Sequence, residues 1–224
     1  MVARRFDSTF AMTPKLRERI DDWFINPPKS QFQMYGPLNA YFHERFPGKL
    51  VKPQALLRER VPDAKLEELN LEPGAIVVEN EIPSAVTQDS TGEWVYTRRS
   101  NQKVYPDFVI CSYYGPDKEG NRRSDIIRFV VEVGSLGLQL NANTPRDKER
   151  IISQTVAYMA LLRTEEGGDD KAVGAAILGD EVRFIEFVPS KGGKHLPRWR
   201  PVSTWCKLWG TKWAEKVAVV AGKD

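Results

Sequence analysis

Two acidic residues stand inside apolar segments of the chain. Asp107 lies in KVYPDFVI and Glu132 in RFVVEVGS, and the Val, Ile and Phe residues around them are typical of buried β-strands. An ionised carboxylate that is removed from water costs several kcal/mol unless it is paired or holds a cation. The two residues therefore indicate a metal site or a buried ion pair, with Arg128 or Arg99 as the partner of Glu132, unless the segments are not strands.

Neighbouring strands could bring further polar side chains to the same place. Alternate residues of a strand share a face, so Lys103 lies on the same side as Asp107. An earlier segment, GAIVVENEI, carries Glu79 in a similar alternating pattern. If these strands are adjacent and in register, up to three carboxylates converge. Mg²⁺ and Mn²⁺ prefer carboxylate and water oxygens as ligands, so the pattern is a divalent-cation site in outline.

A predicted helix after Glu132 carries a second polar stripe. At 100° per residue, Asp147, Arg150, Gln154 and Tyr158 lie within about one third of the helix circumference. Gln154 and Tyr158 stand at positions i and i+4 and are therefore neighbours on the helix surface. Taken alone, such a stripe is also typical of a helix whose glutamine caps a strand and whose tyrosine belongs to the core.

In this order, these residues resemble the motifs of the PD-(D/E)XK phosphodiesterases, and within them the exonuclease branch with a Q-x-x-x-Y helix motif. The matching positions are Pro106-Asp107, Glu132 in VEVG, and Gln154 to Tyr158 in QTVAY, and the resemblance covers roughly residues 36–190. It implies a restriction-endonuclease-like core in which Asp107 and Glu132 bind Mg²⁺ or Mn²⁺. The metal would activate water for attack on a phosphodiester, while Gln154 and Tyr158 would position the substrate or brace the site.

The chain departs from this family at one position. The family pattern has a lysine two residues after the glutamate, where this sequence has Gly134. The resemblance then implies that a cation from another element replaces the lysine. Lys103 is the first candidate because it shares the face of the aspartate, Arg150 is the second, and Lys148, in the first turn of the helix, is the third.

The resemblance also bears on further metal ligands and on function. Some members of the exonuclease branch add an upstream helical histidine as a ligand, and His43 in AYFHERF is placed to do this, with Glu44 and Glu79 as alternatives. The implied function is a metal-dependent nuclease acting on DNA or RNA. A catalytically inactive nuclease fold that binds nucleic acid or a partner protein is the second hypothesis, and an unrelated α/β fold with an internal ion pair is the third.

The elements that must position these residues follow from hydrophobic periodicity. Helical spacing in PKLRERIDDWFI, GPLNAYFHERF and PQALLRERV predicts a helical N-terminal region, and strands are predicted in EWVYTRR, KVYPDFVICSYY and IIRFVVEVGS. A helix with Thr144 as N-cap, two more strands (AVGAAILGD and EVRFIEFV) and a terminal helix follow. The order predicts an α/β fold with a central mixed sheet flanked by helices. We assign residues 1–35 to a helical extension, 36–190 to the core and 191–224 to a C-terminal helix that packs on it.

Composition narrows the class of protein. The 33 basic and 30 acidic residues leave a net charge of +3, which favours an anionic partner only slightly. Two cysteines fit neither a disulfide framework nor a zinc cluster, so a reducing compartment is expected. No segment approaches the ~18 apolar residues of a membrane span. These features predict an intracellular protein, cytoplasmic or nuclear, without a membrane partner.

Overall fold

The computed structural model describes residues 10–26, 28, 30–54, 63–69, 86–88, 94–96, 105–112, 125–134, 144–162, 171–189 and 198–222. Its helices are α1 Pro14–Ile25, α2 Gln31–Arg45, α3 Asp63–Glu68, α4 Pro145–Met159 and α5 Thr211–Ala221. Its strands are β1 Leu50–Pro53, β2 Val86–Gln88, β3 Trp94–Tyr96, β4 Phe108–Ser112, β5 Ile126–Gly134, β6 Val173–Leu178, β7 Glu181–Val188, β8 Arg198–Pro201 and β9 Cys206–Lys207.

Seven of these strands form one mixed sheet. The order is β1-β4-β5-β6-β7-β8, β9 pairs with β7, and β2 pairs with β3 separately. β5 and β6 are parallel and the other pairs in the large sheet are antiparallel. Parallel neighbours need a long crossover, and α4 supplies it between β5 and β6. The predicted α/β class with a central mixed sheet is confirmed.

Helices cover both faces of the sheet. On one side, which we call the α2 face, α1, α2 and α5 pack on alternate strand residues such as Phe108, Phe129 and Val131. On the other side, the α4 face, α4 packs on the intervening residues, such as Val109 and Val130. This alternation is the two-residue period of the strands. Each strand residue near the site can therefore be assigned to one face.

Local signals explain where α1 and α4 begin. The Thr13 hydroxyl accepts a hydrogen bond from the backbone N–H of Leu16 at 3.3 Å, and the Thr144 hydroxyl accepts one from Asp147 at 3.2 Å. In both helices a proline follows the cap, where its missing N–H would have no helical partner. The predicted start of each helix is confirmed.

The N-terminal part differs from the sequence prediction in two places. The helix predicted from Gly36 begins at Gln31, because the Gln33 side chain accepts a hydrogen bond from Ser30 N at 3.3 Å and closes the first turn earlier. It therefore crosses the boundary placed between residues 35 and 36. Leu50–Pro53, expected within a helical region, is instead strand β1, which pairs with β4 at the edge of the sheet.

Two further predicted helices meet different outcomes. The one in PQALLRERV falls largely on residues 55–61, which lie outside the described residues. The terminal helix, predicted from Thr204, begins only at Thr211. The reason is that Cys206–Lys207 form β9 against β7, and the next turn holds Trp209 at a positive φ of 66°, which a helix does not allow.

Candidate active site

The structure brings Asp107 and Glu132 together. β4 and β5 are antiparallel with Phe108 opposite Val131, so the next pair along this register is Asp107 and Glu132. The backbone N–H of Asp107 donates to Glu132 Oε2 at 3.3 Å, and Val133 N–H donates to Asp107 Oδ2 at 2.6 Å. The side chains are 5% and 7% exposed. Two carboxylates thus share one buried place at the end of adjacent strands.

The predicted glutamine and tyrosine of α4 contact this pair. Gln154 Nε2 donates to Glu132 Oε1 at 2.6 Å and to the Tyr158 hydroxyl oxygen, also at 2.6 Å. Tyr158 is buried in the core of the α4 face. The i and i+4 spacing places both polar groups on the side of α4 that faces β5. In the structure, Gln154 orients Glu132 directly and Tyr158 braces Gln154.

A second glutamine and tyrosine pair, on α2, contacts Asp107. The Tyr35 hydroxyl donates to Asp107 Oδ1. The Gln31 amide donates to the Tyr35 oxygen and lies 3.5 Å from the same Oδ1. The Tyr35 ring packs edge-on against Phe108, with 5.6 Å between ring centroids. Neither hydrophobic periodicity nor the family resemblance points to these two residues, although QFQMY repeats the spacing of QTVAY.

Burial and mutual repulsion dominate the electrostatics of the carboxylates. Burial, followed by the negative charge of Asp107, raises the pKa of Glu132 from its ordinary 4.5 to about 8. Burial also raises the pKa of Asp107, against the hydrogen bonds from Tyr35 and Val133 N–H, which lower it. Burial and the bond to Asp107 raise the pKa of Tyr35 to about 12, so its hydroxyl stays a donor at neutral pH.

Cations predicted near the site are placed elsewhere or are not described. Lys148 pairs with Glu181 at 2.6 Å and lies over the Trp205 ring. The Arg150 side chain is 69% exposed and 3.9 Å from Asp147. Within the described ranges, no lysine or arginine forms an ion pair with either carboxylate. Lys103, the first candidate, lies outside those ranges.

The remaining candidate ligands do not join the pair in the described part of the chain. His43 is exposed on α2, about 12 Å along the helix axis from Tyr35. Glu44 accepts hydrogen bonds from the Thr13 backbone N–H and hydroxyl at 2.9 and 2.7 Å, which ties α2 to the start of α1. Glu79 lies outside the described residues, so its role as a metal ligand stays a prediction.

The alternative of an ion pair between Glu132 and Arg128 is wrong. The pairing of β4 with β5 shifts between Ile110 and Cys111, and Arg128 is the extra residue of the resulting β-bulge. The bulge turns the arginine away, so that its Nε donates to Ser112 Oγ at 3.1 Å. Simple alternation along β5, which had placed Arg128 on the side of Glu132, fails at this bulge. Arg99 lies outside the described residues.

Packing explains the glycine at the position of the family lysine. A Cβ at Gly134 would lie 2.8 Å from Leu178 Cδ1 and 2.9 Å from Ile151 Cδ1, closer than real Cβ atoms approach other atoms. Ile151 belongs to α4 and Leu178 to β6, so the strand, its neighbour and the crossover helix meet at this point. A side chain at position 134 would require the ends of the Leu178 and Ile151 side chains to shift.

The donor set suits a hard divalent cation. Mg²⁺ commonly binds through one or two carboxylates and keeps several waters. Each carboxylate oxygen that already accepts one hydrogen bond keeps a further lone pair. Within the described ranges, this site included, no group of three or more His, Cys, Asp or Glu side chains could hold a metal ion, so the protein offers two carboxylate ligands here. The carboxylate pair, Asp107 and Glu132, therefore fits Mg²⁺ or Mn²⁺ with water completing the coordination.

Comparison of the chain with protein-family models, curated proteins and solved structures gives no match. Fold and site alone therefore define the class: an α/β protein with a seven-stranded mixed sheet flanked by helices, and a buried carboxylate pair at one end of two central strands. Among the described helices, none combines the length and hydropathy needed to cross a lipid bilayer.

Proposed function

We propose that the protein is a metal-dependent nuclease that hydrolyses phosphodiester bonds of DNA or RNA, on a restriction-endonuclease-like core. The observation that carries the proposal is the buried pair of Asp107 and Glu132 without a cationic partner among the described residues. Two adjacent buried carboxylates repel each other and disfavour ionisation. A bound Mg²⁺ or Mn²⁺ would offset the repulsion and stabilise both carboxylates in their ionised form, which would explain why two acids are adjacent here.

The chain's own residues have distinct parts in this proposal. Asp107 and Glu132 hold the metal, which when bound supplies an activated water and stabilises the charge that develops on the phosphoryl group. Gln154 fixes the orientation of Glu132 through its 2.6 Å hydrogen bond. Arg150, whose side chain is largely exposed and lies 3.9 Å from Asp147, is a candidate to contact a substrate phosphate, and Lys103 is the other candidate for this task.

A catalytically inactive nuclease fold that binds nucleic acid or a partner protein is the second candidate function. The packing around Gly134 favours it, because this position cannot hold the family lysine without displacing Leu178 and Ile151. Lys148 also favours it, since its ammonium group is engaged by Glu181. The two candidates differ in whether a phosphodiester bond is cleaved.

Cleavage assays with matched variants test the proposal. Labelled single- and double-stranded DNA and RNA are incubated with Mg²⁺ or Mn²⁺ and wild-type protein, Asp107→Asn, Glu132→Gln, or the control Asp180→Asn, which removes a surface carboxylate paired with Lys207. We expect metal-dependent cleavage by the wild type and control, and at least about 100-fold slower cleavage by both site variants. Equal cleavage by all four proteins would contradict the proposal, and Mn²⁺ binding by calorimetry without cleavage would favour the inactive fold.

A further inference from the structure

We propose that Gln31 and Tyr35 of α2 are positioning residues for Asp107, so that the candidate metal site is held by a Gln-x-x-x-Tyr pair from each face of the sheet. This inference rests on the proposed function. It assigns to α2, near the N-terminus, the orientation of one metal ligand, Asp107. The pair on α4, which the sequence resemblance pointed to, performs the same part for the other ligand.

The two pairs have the same spacing and the same internal hydrogen bond. In each, the glutamine and tyrosine are four residues apart on a helix, and the glutamine amide donates to the tyrosine oxygen. The two pairs differ in which of their residues contacts the carboxylate. On α2 the Tyr35 hydroxyl is the closer donor to Asp107, whereas on α4 the Gln154 amide is the donor to Glu132. Each carboxylate therefore has one helical pair of its own.

The pairs reach the carboxylates from opposite sides of the sheet. The buried residues of α2 pack with Phe108 on the α2 face, and those of α4 pack with Val109 on the α4 face. Asp107 can accept from the α2 side because it lies just before β4, at the end of the strand. Its backbone carbonyl also accepts from Gln54 N–H at 2.9 Å, which fixes the main chain against the neighbouring edge strand.

The hydrogen bonds on Asp107 leave a defined direction for a further ligand. Oδ1 accepts from Tyr35 and, at 3.5 Å, from the Gln31 amide, and Oδ2 accepts from Val133 N–H at 2.6 Å, so the plane of the carboxylate is set from two sides. The Tyr35 ring is itself braced against Phe108 and, with 6.0 Å between ring centroids, against Phe32. The lone pairs that remain are the ones available to an ion shared with Glu132.

The donors around the pair are neutral, and this suits a metal site. A lysine or arginine in the place of Tyr35 would neutralise the carboxylate and compete with a bound cation. A phenol and two amides orient the acids without cancelling their charge. Groups that hold metal ligands through hydrogen bonds typically contribute 10- to 100-fold to metal affinity or activity. Tyr35 and Gln31 thus orient the ligand and leave the charge for the ion.

Calorimetric titration with Mn²⁺ tests this inference. The proteins are wild type, Tyr35→Phe and the matched control Tyr41→Phe, which removes a hydroxyl from the same helix about 9 Å further along, where the ring packs on Trp209 and Trp213. Tyr35→Phe keeps the ring contact with Phe108 and removes only the donor. We expect Tyr35→Phe to bind Mn²⁺ about 10- to 100-fold more weakly than wild type, and the control to bind as wild type does.

The other outcomes separate the two proposals. Wild type and Tyr35→Phe binding Mn²⁺ equally would overturn the positioning role and leave the proposed function standing. Equal weakening by both tyrosine variants would also overturn it, because the effect would then be one of helix packing. Absence of Mn²⁺ binding in the wild type would overturn the proposed function and the inference together. If Tyr35→Phe does not fold, Gln31→Ala, which removes the amide that braces the hydroxyl, is titrated in its place with the same expected direction.

Discussion

Replacing Glu132 by glutamine should separate the stability of the protein from its metal binding. Glutamine has the shape of the protonated acid, and its oxygen can still accept from the Asp107 N–H. It carries no charge, however, so the repulsion with Asp107 and the cost of burying an anion are both removed. We expect Glu132→Gln to be more stable than wild type at alkaline pH without metal, and to lose Mn²⁺ binding.

The direction and size of this effect on the free energy of unfolding follow from the pKa of Glu132. It is raised from 4.5 to about 8 in the folded protein, whereas the unfolded chain titrates near the ordinary value. Below pH 4.5 the acid is protonated in both states, and the stabilisation relative to the ionised form is complete. Between pH 4.5 and about pH 8, Glu132 holds a proton in the folded state that it releases in the unfolded state. The free energy of unfolding therefore falls as pH rises, by up to about 1.4 kcal/mol per pH unit, and on the order of 4 to 5 kcal/mol is the upper limit.

Urea unfolding followed by tryptophan fluorescence measures this difference. Trp209 and Trp213 are 3% and 1% exposed, so their emission reports loss of the core. Wild type, Glu132→Gln and the control Glu186→Gln, a partly exposed glutamate paired with Lys216, are compared from pH 5.5 to 9 in EDTA. The advantage of Glu132→Gln over wild type should grow with pH. Parallel curves for these two proteins across the window would refute the reasoning.

The same experiment with Mn²⁺ links stability to ligand binding. A ligand that binds only the folded protein stabilises it by about 2.7 kcal/mol at 100 times its dissociation constant. Because binding requires both carboxylates to be ionised, Mn²⁺ should restore wild-type stability most at pH 8 to 9. The free energy of unfolding of Glu132→Gln should not respond to Mn²⁺. A similar response in both proteins would mean that the metal binds elsewhere.

Three further substitutions test the packing that positions the site. Gly134→Ala should lower the free energy of unfolding by about 1 to 3 kcal/mol, measured in urea, because its Cβ overlaps the δ carbons of Leu178 and Ile151; an unchanged value would mean that these side chains move aside at no cost. Thr144→Ala should cost about 1 kcal/mol through loss of the α4 N-cap, and Thr144→Ser should retain it; equal loss in both would contradict the capping role. Trp213→Ala should cost about 3 to 5 kcal/mol by thermal or urea denaturation, and a loss below 1 kcal/mol would mean that the aromatic core rearranges.

Elements with strong local signals were predictable, and those made by distant pairing were not. α4 follows from a Thr-Pro start and a helical hydrophobic period, and β4 to β7 follow from runs of β-branched residues. Leu50–Pro53 has no such signal, and it becomes a strand because β4 offers an unpaired edge. The early start of α2 depends on one side-chain hydrogen bond, from Ser30 N–H to Gln33, which periodicity does not detect.

In the candidate site, too, some contacts follow from local periodicity and others do not. The meeting of Asp107 with Glu132 follows from alternation along two neighbouring strands, since a register in which they are opposite puts both on one face. The bulge at Arg128 inserts one residue into β5, so the simple alternation of faces does not hold across it. The contact between Tyr35 and Asp107 joins residues 72 positions apart. No local period specifies such a contact, although the repeated Gln-x-x-x-Tyr spacing could have drawn attention to it.

Gly134 and the hydrogen bond between Gln154 and Glu132 both lie where α4 contacts β5. Ile151 fills the space above Gly134, and Gln154 follows it by three residues on the same side of α4. A lysine at position 134 would require the δ carbons of Ile151 and Leu178 to shift, close to the 2.6 Å contact of Gln154 with Glu132. A side chain at position 134 and the present packing of Ile151 and Leu178 therefore compete for the same space. In the proposed nuclease, a cation that assists cleavage would come from another position of the chain, and the largely exposed Arg150 of α4 is one candidate.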